Sequence, residues 1–118
     1  MKTVIIDGVE YAQVSKAAEN KDGKKYVIVR CSAAGVHSGF LESWSAETAS
    51  VVLSSSRRLW RWYGHTLSGL AIDGTTDPGK CKFGAELDEI ILLGACEIIP
   101  CSVAATESLR GVPGWKND

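Results

Sequence analysis

Apolar residues in this chain fall in short runs separated by glycine, proline and polar turns, the spacing of strands and brief helices. Residues 3–6 and 9–14 predict a two-stranded hairpin about the tight turn Asp7-Gly8. Residues 16–25 are polar, and the mixed charges of Asn20-Lys21-Asp22-Gly23-Lys24-Lys25 predict a solvated loop. The β-branched run Tyr26-Val27-Ile28-Val29-Arg30-Cys31 predicts a central strand, broken by Ala33-Ala34-Gly35. Residues 36–44 alternate imperfectly, residues 45–48 turn the chain, and residues 49–63 predict an extended stretch, as one bent strand or two.

Thr66 has the side chain to cap a short helix in which Leu67, Leu70 and Ala71 share one face, with Gly74 to end it. Asp77-Pro78-Gly79 reads as a turn. Residues 90–93 and 95–99 are apolar runs of strand length, broken at Gly94 and stopped by Pro100. Ser102 then caps a predicted helix to Arg110, with Gly111 in the C-terminal capping place and Pro113 beyond it. On that helix Ala105 and Leu109 should face the core, with Thr106 and Arg110 on the adjacent ridge. The sum is an α+β fold: a mainly antiparallel sheet with a short middle helix and a C-terminal helix.

Composition narrows the picture. A length of 118 residues, 45% of them hydrophobic, suits one domain with one real core, residues 1–118. Thirteen basic against fourteen acidic residues give a formal charge of -1. That argues against a general DNA or RNA binder and moves any phosphate recognition into a local pocket. No stretch approaches the roughly 20 apolar residues of a membrane helix, and the apolar run after Met1 is too short for a signal peptide. The four cysteines, 31, 81, 96 and 101, form no CxxC pair, and two histidines, His37 and His65, complete no zinc spacing. Free thiols in a cytosolic protein are expected, with no metal and no cofactor.

Enzyme signatures are missing. There is no G-x-x-x-x-G-K-[ST] loop, no G-x-G-x-x-G after a strand and no G-x-S-x-G elbow. His37 stands beside Ser38, but neighbours on an extended chain point to opposite faces, so a backbone-bonded histidine is expected rather than a catalytic pair. Glu86, Asp88 and Glu89 read as an exposed acidic strand edge.

Binding chemistry is better supplied. Arg57-Arg58-Leu59-Trp60-Arg61-Trp62 sets three guanidinium groups beside two indoles. Arginine forks match phosphate oxygens and flat rings match purines, so the segment suits an anionic heterocycle. Buried tryptophans beneath packed arginine stems are the plainer reading. In a flat strand Arg57, Leu59 and Arg61 face one way, with Arg58, Trp60 and Trp62 on the other side. Both tryptophans then belong to a core or interface. Arg57 is left free for an anion, and Arg58 is partly buried and in need of a partner. Arg30 is a surface arginine or a ligand group at a strand end. Phe83 is a core plug or a stacking platform. Arg110 caps helix carbonyls or reaches a phosphate beside Thr106.

The blocks Ala34-Gly35-Val36-His37-x-Gly39, Arg57-Arg58-Leu59-Trp60-x-Trp62, Gly74-Thr75, Cys81-Lys82-Phe83 and Glu97-Ile98-Ile99-Pro100 through Arg110-Gly111-Val112-Pro113-x-Trp115 carry a resemblance. Across residues 26–115 the chain resembles the Thoeris anti-defence proteins of the first type, a small family of phage sponges. The resemblance implies a non-enzymatic protein of the host cell cytoplasm that binds cyclic ADP-ribose isomers, the alarm signals of Thoeris immunity, without cleaving them. It extends to cyclic di- or trinucleotides of a second immune system, held at separate sites. It also implies homo-oligomers built from dimers, in some members hexamers as trimers of dimers, with the ligand between protomers. On that pattern Phe83 stacks on adenine, Arg30 and Arg110 hold the pyrophosphate, and Thr106 is their neighbour. Arg57, Arg58 and His37 follow as candidates for ribose or the second ligand class. The rival expectations are an enzyme that degrades the signal, a phosphodiesterase or a nucleotide glycosidase, and a structural or regulatory phage protein that only oligomerises through the tryptophan-rich strand.

Overall fold

The computed structural model describes residues 3–6, 9–12 and 23–115. Strands β1 (Thr3–Ile6) and β2 (Val9–Ala12) pair antiparallel with Ile6 opposite Val9, the register of a two-residue turn. The predicted turn Asp7-Gly8, the end of the predicted second strand and most of the predicted polar loop lie outside the described residues.

The main sheet holds β3 (Tyr26–Cys31), β4 (Gly35–Ser45), β5 (Ser50–Arg61), β6 (Lys82–Phe83), β7 (Leu87–Leu93) and β8 (Ala95–Pro100), every pair antiparallel. β3 lies inside the sheet between β4 and β8, as its β-branched run predicts. Residues 50–61 form one bent strand. The bend sits at Ser55, whose φ of 47° accompanies a one-residue slip of β5 against β4 between Ser54 and Arg57. β7 pairs with the first half of β5 and β6 with the second.

β7 and β8 are one stretch kinked at Gly94, where φ is 76° and a side chain would be strained. The first half pairs with β5 and the second with β3. Because β3, β4 and β5 are successive neighbours, this one stretch ties together the two edges of the sheet and curls it. The Ala95 amide donates to the Ala49 carbonyl at 2.9 Å, and the Ser32 amide to the Gly94 carbonyl at 3.0 Å, locking the closure.

The curl creates two cores from alternate residues of the same strands. Val27, Val29, Cys31, Val51, Leu53 and Leu92 fill the inside of the curl. Tyr26, Ile28, Phe40, Leu59 and Phe83 face outward and are covered by α1 (Leu67–Asp73) and α2 (Val103–Gly111) through Leu70, Ala71, Ala105 and Leu109. Each large apolar side chain buried this way contributes about 1.5–3 kcal/mol before the cost of ordering it.

Both helices start where their caps predict. Thr66 Oγ1 accepts from the Gly69 amide at 3.2 Å, and Ser102 Oγ from the Ala105 amide at 3.0 Å. The Ser102 hydroxyl also donates to the Ile72 carbonyl at 2.6 Å, so one side chain begins α2 and ties down the end of α1. Gly74 ends α1 with φ 78°, and a Cβ there would collide with Ser108 of α2. Gly111 is the last residue of α2, and Val112 takes the capping place. The four cysteines form no disulfide, and among the described residues no helix is long and apolar enough to cross a membrane.

Candidate functional site

Arg57 sits where a flat strand would leave it free, yet it is 4% exposed. Its Nε donates to the Gly84 carbonyl at 2.9 Å, and Nη1 to the carbonyls of Leu109 at 3.0 Å and Val112 at 2.7 Å. The last carbonyls of a helix lack partners within it and carry its partial negative charge. Arg57 therefore clamps the end of α2 onto the sheet, and burial pulls its pKa down without emptying it of charge. The expectation that Arg57 is free for an anion is corrected: its donors are spent inside the fold.

Phe83 lies beneath that guanidinium, 5.3 Å from its carbon to the ring centroid, and is 0% exposed. It is the core plug of the two roles considered; the stacking role fails within one protomer because both ring faces are covered. Thr106 is 7% exposed, and its hydroxyl donates to the Ser102 carbonyl at 2.8 Å.

Arg110 reaches from the last turn of α2 to Glu86, with Nε and Nη2 each 3.1 Å from a carboxylate oxygen. Its guanidinium also covers the Phe40 ring at 5.1 Å. Arg30, the penultimate residue of β3, donates from Nε to Glu97 at 2.8 Å. These hydrogen bonds raise the pKa of both arginines. Phe40 pairs with Tyr26, the first residue of β3, so Arg110 and Arg30 stand at opposite ends of that strand. Four residue steps separate those ends by about 13 Å. One protomer does not bring these two arginines to one phosphate.

His37 is 1% exposed, with Nε2 2.8 Å from the Ala34 carbonyl, the backbone-bonded role its sequence position predicts. Burial lowers its pKa, so at neutral pH Nε2–H donates and Nδ1 carries a lone pair. Nδ1 and the buried Ser56 Oγ have no partner among the described residues. Ser38 points the other way and shares a 2.9 Å hydrogen bond with the Tyr26 hydroxyl, which rules out a His37–Ser38 pair. Across the register His37 faces Arg58, which is half-buried.

Arg58 opens a surface that the strand alternation only partly revealed. Its guanidinium carbon lies 5.2 Å from the Trp60 ring centroid, and Trp60 is 58% exposed. The β5–β6 register slips between Leu59 and Arg61, which returns Trp62 to the helix-side core and leaves Trp60 outside. The two tryptophans therefore do not share a face. Arg61 pairs with Lys82, and the Lys82 ammonium lies 4.9 Å from the ring of Trp115, which is 40% exposed. Among the described residues Arg58, Arg61 and Lys82 have no carboxylate within ion-pair distance. Three cations without a carboxylate partner and two open indoles thus lie on the last residues of β5, on the paired β6 and in the segment beside it. Lys82 and Trp115 stand in the resembling blocks but not among the expected site residues, although Lys82 is next to a core phenylalanine and must point away from it.

At the other end of the curl a groove of about 540 Å³ lies between the β4–β5 turn and β8. Trp44, 59% exposed, forms one wall, with Ala49, Val51, Ala95 and Ile98 around it and Glu97 at the lip. Among the described residues no cluster of three or more histidine, cysteine, aspartate or glutamate side chains stands ready for a metal ion.

A family profile described as a domain of unknown function (DUF6948) matches residues 24–109, most of the chain. No curated protein and no solved structure matches the sequence.

Proposed function

We propose that this chain, which belongs to the DUF6948 family, is a phage anti-defence sponge that binds a cyclic nucleotide signal and holds it unchanged. The observation that carries the reading is the surface of Arg58, Trp60, Arg61, Lys82 and Trp115. Its cations lack carboxylate partners and its indoles are open, which suits a small ligand with phosphates and a purine. The resemblance in the sequence blocks supplies the ligand class: cyclic ADP-ribose isomers first, with cyclic di- or trinucleotides as a second class, in the host cell cytoplasm.

Sequestration needs affinity and no chemistry. A nanomolar sponge requires about 12 kcal/mol of standard binding free energy. Two or three charge-assisted hydrogen bonds at about 1.5–3 kcal/mol each, with one or two stacked bases at about 1–3, supply much of that. A cyclic ligand loses little conformational freedom on binding.

Isothermal titration of a cyclic ADP-ribose isomer tests the reading. Wild type is expected to bind in the nanomolar range, and Trp60→Ala or Lys82→Ala to weaken binding about tenfold to a hundredfold. Arg110→Ala probes the site implied by the resemblance, where arginines from different protomers share the pyrophosphate. Loss of binding in Arg110→Ala with Trp60→Ala unaffected would move the ligand to the end of α2. Absence of heat with every such signal would remove the proposal.

A further inference from the structure

We infer that the groove beside Trp44 is a binding site for a small organic cation, a guanidinium carried on a short alkyl stem. Its volume of about 540 Å³ is that of a small-molecule site. Its two walls, the β4–β5 turn and β8, are joined where the Ala95 amide donates to the Ala49 carbonyl at 2.9 Å. The groove is therefore formed before a ligand arrives, which spares the cost of ordering it. Val51, Ala95 and Ile98 give it an apolar lining for an alkyl stem. Trp44, 59% exposed, adds an open indole. A guanidinium stacks on such a ring and is less strongly hydrated than an ammonium, so it enters a half-apolar groove at smaller cost.

Charge selects the sign of the ligand. Glu97 stands at the lip, where its Oε1 receives Arg30 Nε at 2.8 Å. Among the described residues its Oε2 receives no hydrogen bond, which leaves it to accept from the ligand. No lysine or arginine lines the groove among the described residues. Residues 41–56, which hold the turn, carry Glu42 and Glu47, and residues 87–100, which hold β7 and β8, carry Asp88, Glu89 and Glu97; neither stretch has a lysine or arginine. Lys24 and Arg30 pair with Glu42 and Glu97 from outside these stretches. Among the described residues Glu47, Asp88 and Glu89 have no ion-pair partner, so this end of the sheet keeps a negative excess. β5 thus runs from an end that suits cations to an end that suits anions. The nucleotide reading concerns the second end, and this inference does not rest on it.

Proton–nitrogen NMR of the full chain reads the outcome through the indole N–H signals of its four tryptophans, each assigned by its own replacement with phenylalanine. The probe is butylguanidinium, with butylurea as its neutral counterpart of the same shape. Butylguanidinium should shift the Trp44 signal to saturation with a Kd below about 1 mM and leave Trp60 and Trp115 in place. Butylurea should bind at least about tenfold more weakly. Glu97→Gln should weaken binding of butylguanidinium about tenfold. Arg30→Gln, which releases the second oxygen of Glu97, should tighten it about threefold. Dispersion of the remaining signals shows that each variant is folded. No saturation by about 10 mM, equal binding of butylurea, unchanged affinity in Glu97→Gln or weaker binding in Arg30→Gln would each overturn the inference and leave the nucleotide proposal untouched.

Discussion

Arg57 and Arg58 are adjacent and chemically identical, and the fold gives them opposite tasks. Arg57 spends its donors on the carbonyls of Gly84, Leu109 and Val112. Arg57→Ala leaves those acceptors unsatisfied, each at about 1–3 kcal/mol, so a total loss of about 3 kcal/mol is expected in urea unfolding. Arg57→Lys should recover only part of it, because one ammonium cannot reproduce the fork. The alternation of residues 57–62 was legible as far as Leu59. Which arginine would be buried was not, because that depends on α2, nearly fifty residues later in the chain. His37 gives a pH prediction. Burial lowers its folded pKa below the ordinary value of 6.5, so the unfolded chain binds the extra proton first. Stability should therefore be full above 6.5 and fall as pH drops through 6.5 toward the folded pKa. His37→Gln should flatten that slope in unfolding measured from neutral to mildly acidic pH.

Elements were the most legible level, because their stop and start signals are local. Thr66, Gly74, Gly94, Pro100 and Ser102 mark boundaries that the structure keeps. The two N-caps differ in weight. Thr66 serves only its own helix, whereas Ser102 also holds the Ile72 carbonyl of the other. Thr66→Ala should cost about 1 kcal/mol and Ser102→Ala about 2 kcal/mol in chemical unfolding. Gly74→Ala should cost more than either cap, since it meets both a positive φ and the side chain of Ser108. The closure of the sheet was not legible. Nothing local says that residues 87–100 pair with β5 in one half and with β3 in the other; that follows from three-dimensional register alone.

At the scale of the whole molecule, the net charge of -1 conceals a local imbalance. Glu86 and Glu97 neutralise Arg110 and Arg30, while among the described residues Arg58, Arg61 and Lys82, on the end of β5 and on β6, have no carboxylate partner and stand near open indoles. The arginine-tryptophan segment announced part of this surface in the sequence, whereas Phe83 and Thr106, expected beside Arg30 and Arg110, are buried. Binding that relies on exposed cations weakens as salt screens them, so affinity for a cyclic ADP-ribose isomer should fall between low and physiological ionic strength. The most direct measurement is to saturate the protein with that signal, remove the excess, denature the complex and identify the released molecule by chromatography. The account predicts the intact cyclic compound, recovered in proportion to protein. Recovery of ADP-ribose, or of no ligand at all, would contradict it.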